Sequence, residues 1–472
     1  MLDKTTRVVL DNSTPSIKYF LIKWLQEFGS SAPVNNSVID ISNALGVSKD
    51  VVTKATDYFT TNGLFEKEIV LITKSWSRYS FKFSSKLHKM ITGVGDGKTS
   101  HHATIIKHLL VADIQKRSGS RKLKRHSLDL APRLLLIILL RNANECGVVD
   151  QLGLSELGRL TGMTKESVKS RIKHLMKKGY IRSYIAGVTG SYMYHRSPGI
   201  IYLNLKNPNY VLEQKIGITT CIQSEIERTN PIESIAMYNV AGEILHSQKQ
   251  KFYGHEKKMK IKRLCRDRLF FHSIPEDFVE LAPFFIDKPM YSKVRSFMQA
   301  KVNGYASLLL SSHWQELLKG DDIDPGVVKE QIITDTFGDK FDIEGDKGEF
   351  PSKAQKESLA NVLFETSMSL AKRLQGQLIK SAHVNFGEMN HVILPVLDDV
   401  NYRIYLGIDS FFKVDNKFSR NKYLTINVGQ QEPERVAEDP ENEISKEDEY
   451  RCGLLTKQES KTIYMGGKTI SI

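Results

Sequence analysis

Residues 157–182 read LGRLTGMTKESVKSRIKHLMKKGYIR, and this stretch decides how the first half of the chain is interpreted. Apolar side chains recur at helical spacing at Val168, Ile172 and Leu175, so a helix with one buried face is predicted. Between residues 165 and 178 that helix carries six lysine or arginine residues against one glutamate, a net charge of +5. Such a helix is either a solvated surface or a surface that meets an anionic polymer.

The same pattern occurs once before, at residues 41–66, which read ISNALGVSKDVVTKATDYFTTNGLFE. The two stretches align without a gap at an offset of 116 residues (157 − 41), and glycines coincide at Gly46 with Gly162 and at Gly63 with Gly179. The first glycine of each copy is predicted to make a sharp turn between two helices, because glycine accepts positive φ without strain. The second glycine is predicted to end the second helix, and a strand begins directly after it.

Further elements surround each copy in the same order. The hydroxyls of Ser48 and Thr164 are predicted to cap the second helix. A third helix precedes each copy, with Pro15 at its first position in copy one and Pro132 ahead of an apolar run in copy two. Alternating segments that predict strands follow the copies, at 68–83 for copy one and at 181–187 and 199–205 for copy two.

Helix, helix, turn, helix and two-stranded ribbon is the order of elements in the winged helix-turn-helix superfamily. The chain resembles that superfamily over residues 14–85 and 128–207, and residues 154–181 are similar to its bacterial transcription regulators. Plasmid replication initiators are a more distant likeness. The resemblance implies that the second helix of each motif enters the major groove of DNA and that the ribbon, or wing, touches the neighbouring backbone.

This resemblance assigns DNA-contacting roles to polar residues off the buried face. On the second helix of copy two the groove-facing candidates are Lys165, Glu166, Lys169, Ser170 and Lys173. Phosphate contacts are assigned to Thr164, Lys177 and Lys178, and backbone or minor-groove contacts to the wing residues Arg182, Tyr194, His195 and Arg196. In copy one the matching candidates are Ser48, Lys49, Thr53 and Lys54.

The two copies differ in charge. Helix 49–62 carries two lysines against two aspartates, a net charge of zero, whereas the corresponding helix of copy two carries +5. Because phosphate neutralisation supplies most non-specific affinity, copy two is predicted to dominate DNA binding. Copy one either reads DNA weakly or packs against a partner subunit. The alternative for both copies is a winged helix that serves protein contacts only.

Two further stretches are strongly basic. Residues 117–127, RSGSRKLKRHS, form either a linker that lies along a minor groove or a solvated linker; the candidates there are Arg121, Lys122, Lys124 and Arg125. Residues 249–268 hold nine lysine or arginine residues against two acids and predict a second phosphate-binding surface. Its candidates are Lys257, Lys258, Lys260, Lys262 and Arg263.

The length of the chain indicates its number of domains, and its charge distribution indicates which part meets an anionic partner. Its 472 residues suggest about three domains at roughly 150 residues each. Residues 1–300 hold 46 Lys+Arg against 26 Asp+Glu (+20), and residues 301–472 hold 21 against 28 (−7), so the front of the chain is predicted to meet nucleic acid.

The predicted fold is mainly α with small β-wings, an α+β class. The predicted divisions are winged helix domain 1 at 1–97, a helix and basic linker at 98–127, winged helix domain 2 at 128–210, a mainly helical region at 211–350, a helix with antiparallel strands at 351–430, and an acidic linker and tail at 431–472.

Several classes of protein are not indicated. The longest apolar run, residues 134–140, is far shorter than the about 20 residues of a membrane span, and residues 1–13 do not resemble a signal peptide. The four cysteines show neither disulfide nor zinc-ligand spacing. We therefore expect a cytoplasmic, nucleoid-associated protein without membrane contact, metal, cofactor or catalytic residues.

The sequence leaves three functions open. The first is a sequence-specific double-stranded DNA-binding protein, most simply a transcriptional regulator. The second is an origin-binding replication initiator of a plasmid or phage, and the third is a nuclease or recombinase with DNA-binding domains in front. The back half of the chain is assigned to homo-oligomerisation or to contact with transcription or replication machinery.

Overall fold

The computed structural model describes most of the chain with gaps. The described residues are 2–72, 77–93, 100–116, 128–189, 193–194, 196–205, 207, 210, 218–225, 233–249, 281–285, 291–321, 323–338, 341, 352–379, 386–395, 404–412, 422–427 and 435–437. These residues fall into two compact units, one of Met1–Ile181 with Leu203–Glu213 and one of Arg182–Tyr202 with Gln214–Ile472. Helices predominate and the sheets are small, so the expected α+β class is confirmed at that level.

Copy one lies in the first unit and is built on an aromatic core. Its helices are α1 (Leu2–Thr5), α2 (Pro15–Glu27), α3 (Val38–Leu45) and α4 (Lys49–Thr61), its strands are β1 (Phe65–Ile72) and β2 (Ser77–Phe83), and α5 (Ser85–Thr92) and α6 (Ala103–Lys116) follow. Trp24 of α2 contacts the rings of Phe65 and Phe81, with centroid distances of 5.0 and 6.3 Å. The hairpin of β1 and β2 is thereby held against α2.

Copy two repeats this order, with its helices in the same unit. Its helices are α7 (Leu130–Asn142), α8 (Leu154–Thr161) and α9 (Lys165–Lys177), and its strands are β3 (Val148–Val149), β4 (Ile181–Ile185), β5 (Val188–Thr189), β6 (Arg196–Ser197) and β7 (Ile200–Leu203). The apolar run 134–140 of α7 is fully buried. Strands β5 and β6, with the rest of the wing from residue 182 to 202, are grouped with the second unit.

The glycines and caps lie where the repeat predicts them. Gly46 and Gly162 end α3 and α8 in the left-handed region, with φ of 68° and 70°. The hydroxyls of Ser48 and Thr164 accept the N–H of Val51 and Ser167 at 3.3 and 3.2 Å. These local predictions are confirmed.

Each copy also has an element that the sequence did not predict, a short extended segment between α2 and α3 in copy one and between α7 and α8 in copy two. In copy one Val34 pairs with Phe81, the two backbone N–H···O bonds measuring 2.9 and 3.1 Å. In copy two β3 takes that place, and its sheet has the order β3-β7-β4. In both copies the short segment therefore joins the last strand of the ribbon.

The helices of the two copies pack against each other within the first unit. Helix α2 packs against α7, and the guanidinium of Arg133 donates to the hydroxyl of Tyr19 at 3.4 Å. The turn glycine Gly162 lies so close to Ser13 that an added Cβ would be 2.5 Å from its carbonyl oxygen. The helices of both copies accordingly belong to one compact unit.

The second unit contains a five-stranded sheet and a group of helices. Its helices are α10 (Glu233–Lys249), α11 (Tyr291–Ser312), α12 (Trp314–Lys319), α13 (Gly326–Phe337) and α14 (Lys353–Leu378), and its remaining strands are β8 (Ile218–Glu225), β9 (Met389–Ile393), β10 (Ile404–Phe412), β11 (Lys422–Asn427) and β12 (Arg435–Ala437). The strand order is β12-β11-β8-β10-β9, in which β8 and β11 are parallel and the other pairs antiparallel.

The structure adds two strands that the sequence did not predict. Strand β8 lies in a region whose other described residues are mainly helical, and β12 lies within the segment predicted to be an acidic linker. Two other features follow the sequence. The long helix from residue 353 and the antiparallel strands around residues 392–408 are present. Strand β8 was missed because its partners come from residues 389–437, far away in the sequence.

Helix α11 closes one edge of the sheet. The hydroxyls of Ser307 and Ser311 accept the outward-facing N–H groups of Ile393 and His391 on the edge strand β9, at 2.9 and 2.8 Å. The same hydroxyls donate to the carbonyls one turn earlier in the helix, those of Asn303 and Ser307, both at 2.7 Å. No helix within the described ranges has the length and apolar composition needed to span a bilayer.

Candidate nucleic-acid interface

Helix α9 is held at its C-terminal end and along one buried face. Val168, Ile172 and Leu175 are buried, as their spacing predicts. At the C-terminal end the side-chain amides of Asn204 and Asn207 donate to the carbonyls of Gly179 and Lys178, at 3.0 and 3.2 Å. Because these bonds satisfy carbonyl groups that have no partner within the helix, the helix end is fixed.

The opposite face of α9 is cationic and exposed. We define the lysine face as the exposed residues Lys165, Lys169, Lys173, Lys177 and Lys178. The first four are spaced by four residues, about 6 Å along the helix axis for each step. None of the five forms an ion pair with any residue that the structure describes. Since only Glu166 carries negative charge on this helix, the positive charge of the face is not neutralised internally.

The N-terminal turn of α9 adds three polar residues to this face. Glu166 and Ser170 are exposed one turn apart, and Glu166 has no ion-pair partner among the described residues. Thr164 is exposed as well, but its hydroxyl already accepts the Ser167 N–H. The structure therefore brings all the helix candidates of copy two onto one surface of a single helix.

The matching helix of copy one is neutralised by its own residues. The ammonium of Lys54 lies 3.0 Å from the carboxylate of Asp50, one turn earlier on α4. The Thr53 hydroxyl donates to the Lys49 carbonyl at 3.1 Å, and the Ser48 hydroxyl caps the helix. Ser48, Lys49, Thr53 and Lys54 are all exposed, but they offer an incoming anion less net charge than the lysine face.

The wing of copy two differs from the sequence-based expectation at two residues. Tyr194 is 0% exposed and Arg182 is 7% exposed, so neither side chain is on the surface where a duplex would lie. We withdraw both as DNA contacts. Burial raises the pKa of the Tyr194 phenol well above its ordinary value. Arg196 is exposed and stays a candidate, and His195 lies outside the described residues.

Tyr194 is held in place by its backbone. Its φ of +59° is in the left-handed region, which non-glycine residues seldom occupy. Its N–H donates to the carbonyl of Thr336 at 2.7 Å, and nearby the hydroxyl of Ser197 donates to the carbonyl of Asp335 at 3.4 Å. The wing loop is thus tied to the end of α13.

The two other basic stretches cannot be placed. The candidates Arg121, Lys122, Lys124 and Arg125 lie outside the described residues, and so do Lys257, Lys258, Lys260, Lys262 and Arg263. Their assignment to phosphate contact stays a prediction.

Sequence reasoning did not anticipate the surface of the copy-one hairpin. Ile69 and Val70 of β1 are 60% and 51% exposed, and Glu66 and Glu68 of the same strand are exposed beside them. Exposed Ile69 and Val70 gain nothing from phosphates, although Lys67 and Lys82 of the same ribbon are exposed beside the two acids. The signal was present in the sequence FEKEIVLI, whose last four residues are all apolar.

Within the described residues no group of three histidine, cysteine, aspartate or glutamate side chains is arranged to hold a metal ion. No protein-family model, curated protein or solved structure matches the chain.

Proposed function

We propose that this protein binds double-stranded DNA and that the lysine face of α9 is its principal contact surface, with α9 acting as the recognition helix of a winged helix-turn-helix. The observation that carries the proposal is the exposure of five lysines that form no ion pair with any described residue, on a helix whose other face is buried. A cationic surface of this kind gains affinity for DNA by displacing condensed counterions.

The fold order supports the same proposal. Both copies consist of three helices, a sharp turn at a positive-φ glycine and a ribbon joined by a short strand. In helix-turn-helix proteins the N-terminal residues of the second helix contact base edges. In this chain those residues are Lys165, Glu166, Lys169 and Ser170. Copy one takes a subordinate role, because the ion pair of Lys54 with Asp50 lowers the charge that α4 presents.

The direct test is a binding titration of the full chain with labelled duplexes of mixed sequence. In dilute buffer we expect binding that weakens linearly on a plot of log affinity against log salt concentration. A control titration uses an acidic polymer such as heparin, to which any cationic surface binds. Preference for particular duplex sequences distinguishes DNA recognition from this non-specific binding. Absence of affinity for any duplex at low salt would refute the proposal.

Regulation of transcription is the first use that we propose for this binding. A second candidate, origin recognition in replication, is favoured by the packing of α2 against α7, because two copies with a fixed mutual geometry suit repeated sites. Footprinting on the DNA of the source organism separates the two. A regulator protects promoter sites, whereas an initiator protects repeated sites and distorts an adjacent A·T-rich segment.

A further inference from the structure

The first turns of α4 and α9 carry an acid at the same position, Asp50 and Glu166, but the neighbouring side chains differ. Asp50 aligns with Glu166 at the offset of 116 residues, and one turn later Lys54 aligns with Ser170. In copy one the aspartate and the lysine form an ion pair at 3.0 Å, with both side chains about two-thirds exposed. In copy two no described residue forms an ion pair with Glu166, although Lys169 follows three residues later.

Glu166 places an exposed carboxylate on the lysine face, without an ion-pair partner among the described residues. It lowers the affinity of that face for phosphate, because like charges repel. The dipole at the N-terminus of α9 favours an acid in the first turn, so Glu166 is also stabilised by its own helix. An acid on a surface that faces DNA is compatible with binding when it accepts a hydrogen bond from a base.

The chemistry of a carboxylate selects the base. An ionised glutamate accepts hydrogen bonds and donates none. In the major groove cytosine presents the N4 amino donor, whereas adenine presents its N6 donor beside the N7 acceptor, which repels a carboxylate. Guanine presents two acceptors and thymine presents one acceptor and a methyl group. Cytosine is therefore the base that suits Glu166.

We infer that Glu166 is a specificity-determining residue of α9 that reads one cytosine in the major groove, with Ser170 beside it as an adaptable donor or acceptor. This inference rests on the proposed DNA binding and deepens it. Lys165 and Lys169 flank the carboxylate on the same surface and supply the phosphate or guanine contacts that hold it there.

The substitution Glu166→Gln gives a test with a directional outcome. Glutamine matches the N6 and N7 pattern of adenine, so the preferred base at one position should change from cytosine to adenine. We expect the discrimination between these two bases to reverse by roughly tenfold, the size of one mismatched base pair. Selection from a randomised duplex pool by the full-length wild type and E166Q measures the preference, and circular dichroism verifies that both are folded.

The matched control is Asp50→Asn in copy one. It removes an acid at the equivalent position, so it should raise affinity for all sequences slightly and leave the preferred bases unchanged. A cytosine that E166Q converts to adenine, and D50N does not, supports the inference. Stronger binding by E166Q with unchanged base preferences overturns it, and so does wild-type binding without any base preference. If the wild type binds no duplex, the proposed function fails as well.

Discussion

The ring of Tyr194 packs edge-on against the ring of Phe297, with centroids 5.1 Å apart and planes inclined at 67°. Phe297 belongs to α11 and is itself fully buried. The wing loop of copy two is therefore part of the hydrophobic core of the second unit. A wing anchored in this way cannot bring Tyr194 to a DNA groove without losing that core contact.

Replacing Tyr194 with alanine should destabilise the second unit. Removal of a fully buried aromatic ring costs about 3–5 kcal/mol in the free energy of unfolding. Urea denaturation followed by far-UV circular dichroism measures the loss. Tyr194→Phe is the control, since it keeps the ring: it should retain most of the stability and bind duplex DNA as tightly as the wild type. Weaker DNA binding by Y194F would restore Tyr194 as a DNA contact.

The elements of both copies could be predicted because their signals are local. Gly162 turns the chain, Thr164 caps the helix, and Val168 with its apolar neighbours marks the buried face, so each is set by a few adjacent residues. The burial of Tyr194 could not be predicted, because it depends on Phe297, which lies about a hundred residues later. Strand β8 was missed for the same reason, and the packing of the two copies against each other depends on contacts such as Arg133 with Tyr19.

Lysine substitutions should distinguish the two candidate recognition helices. The double variant Lys165→Ala, Lys169→Ala should weaken duplex binding and flatten its salt dependence by up to about two units, one for each lost phosphate contact. The matched variant Lys49→Ala, Lys54→Ala should have a smaller effect, because Lys54 is already paired with Asp50. Fluorescence anisotropy at several salt concentrations gives both slopes. A larger loss for the copy-one variant would reverse the proposed order of the copies.

Lys18 should make the stability of the first unit depend on pH. Its side chain is 1% exposed, its ammonium donates to the carbonyls of Thr5 and Val8, and burial lowers its pKa from 10.5 to about 7. Between these two values the unfolded chain binds more protons than the folded chain. Stability should therefore rise as the pH increases from about 7 towards 10.5.

Lys18→Met tests this dependence, because methionine fills a similar volume without a charge. The stability difference between wild type and K18M should change with pH over that window, in favour of the wild type as the pH rises. Urea denaturation at pH 7 and pH 9.5 measures the difference. Lys49→Met controls for the loss of one exposed charge. A difference that is the same at both pH values would show that Lys18 keeps its proton in the folded protein.

Gly162 should tolerate substitution less well than Gly63, although both have positive φ. Alanine costs about 1–2 kcal/mol in the left-handed region at either position. At Gly162 the added Cβ would also lie 2.5 Å from the Ser13 carbonyl oxygen, whereas at Gly63 it meets nothing within 4 Å. Gly162→Ala should therefore lower the urea midpoint more than Gly63→Ala. Equal midpoints would mean that the loop at Ser13 can move aside.

The serines of α11 have a consequence for how molecules of this protein meet one another. Because the Ser307 and Ser311 hydroxyls occupy the outward amides of β9, that side of the sheet offers no free donors at these two positions to a strand from another chain. Unfolding of α11 would uncover them. An uncovered edge strand of this kind is a template for pairing with a strand of another chain.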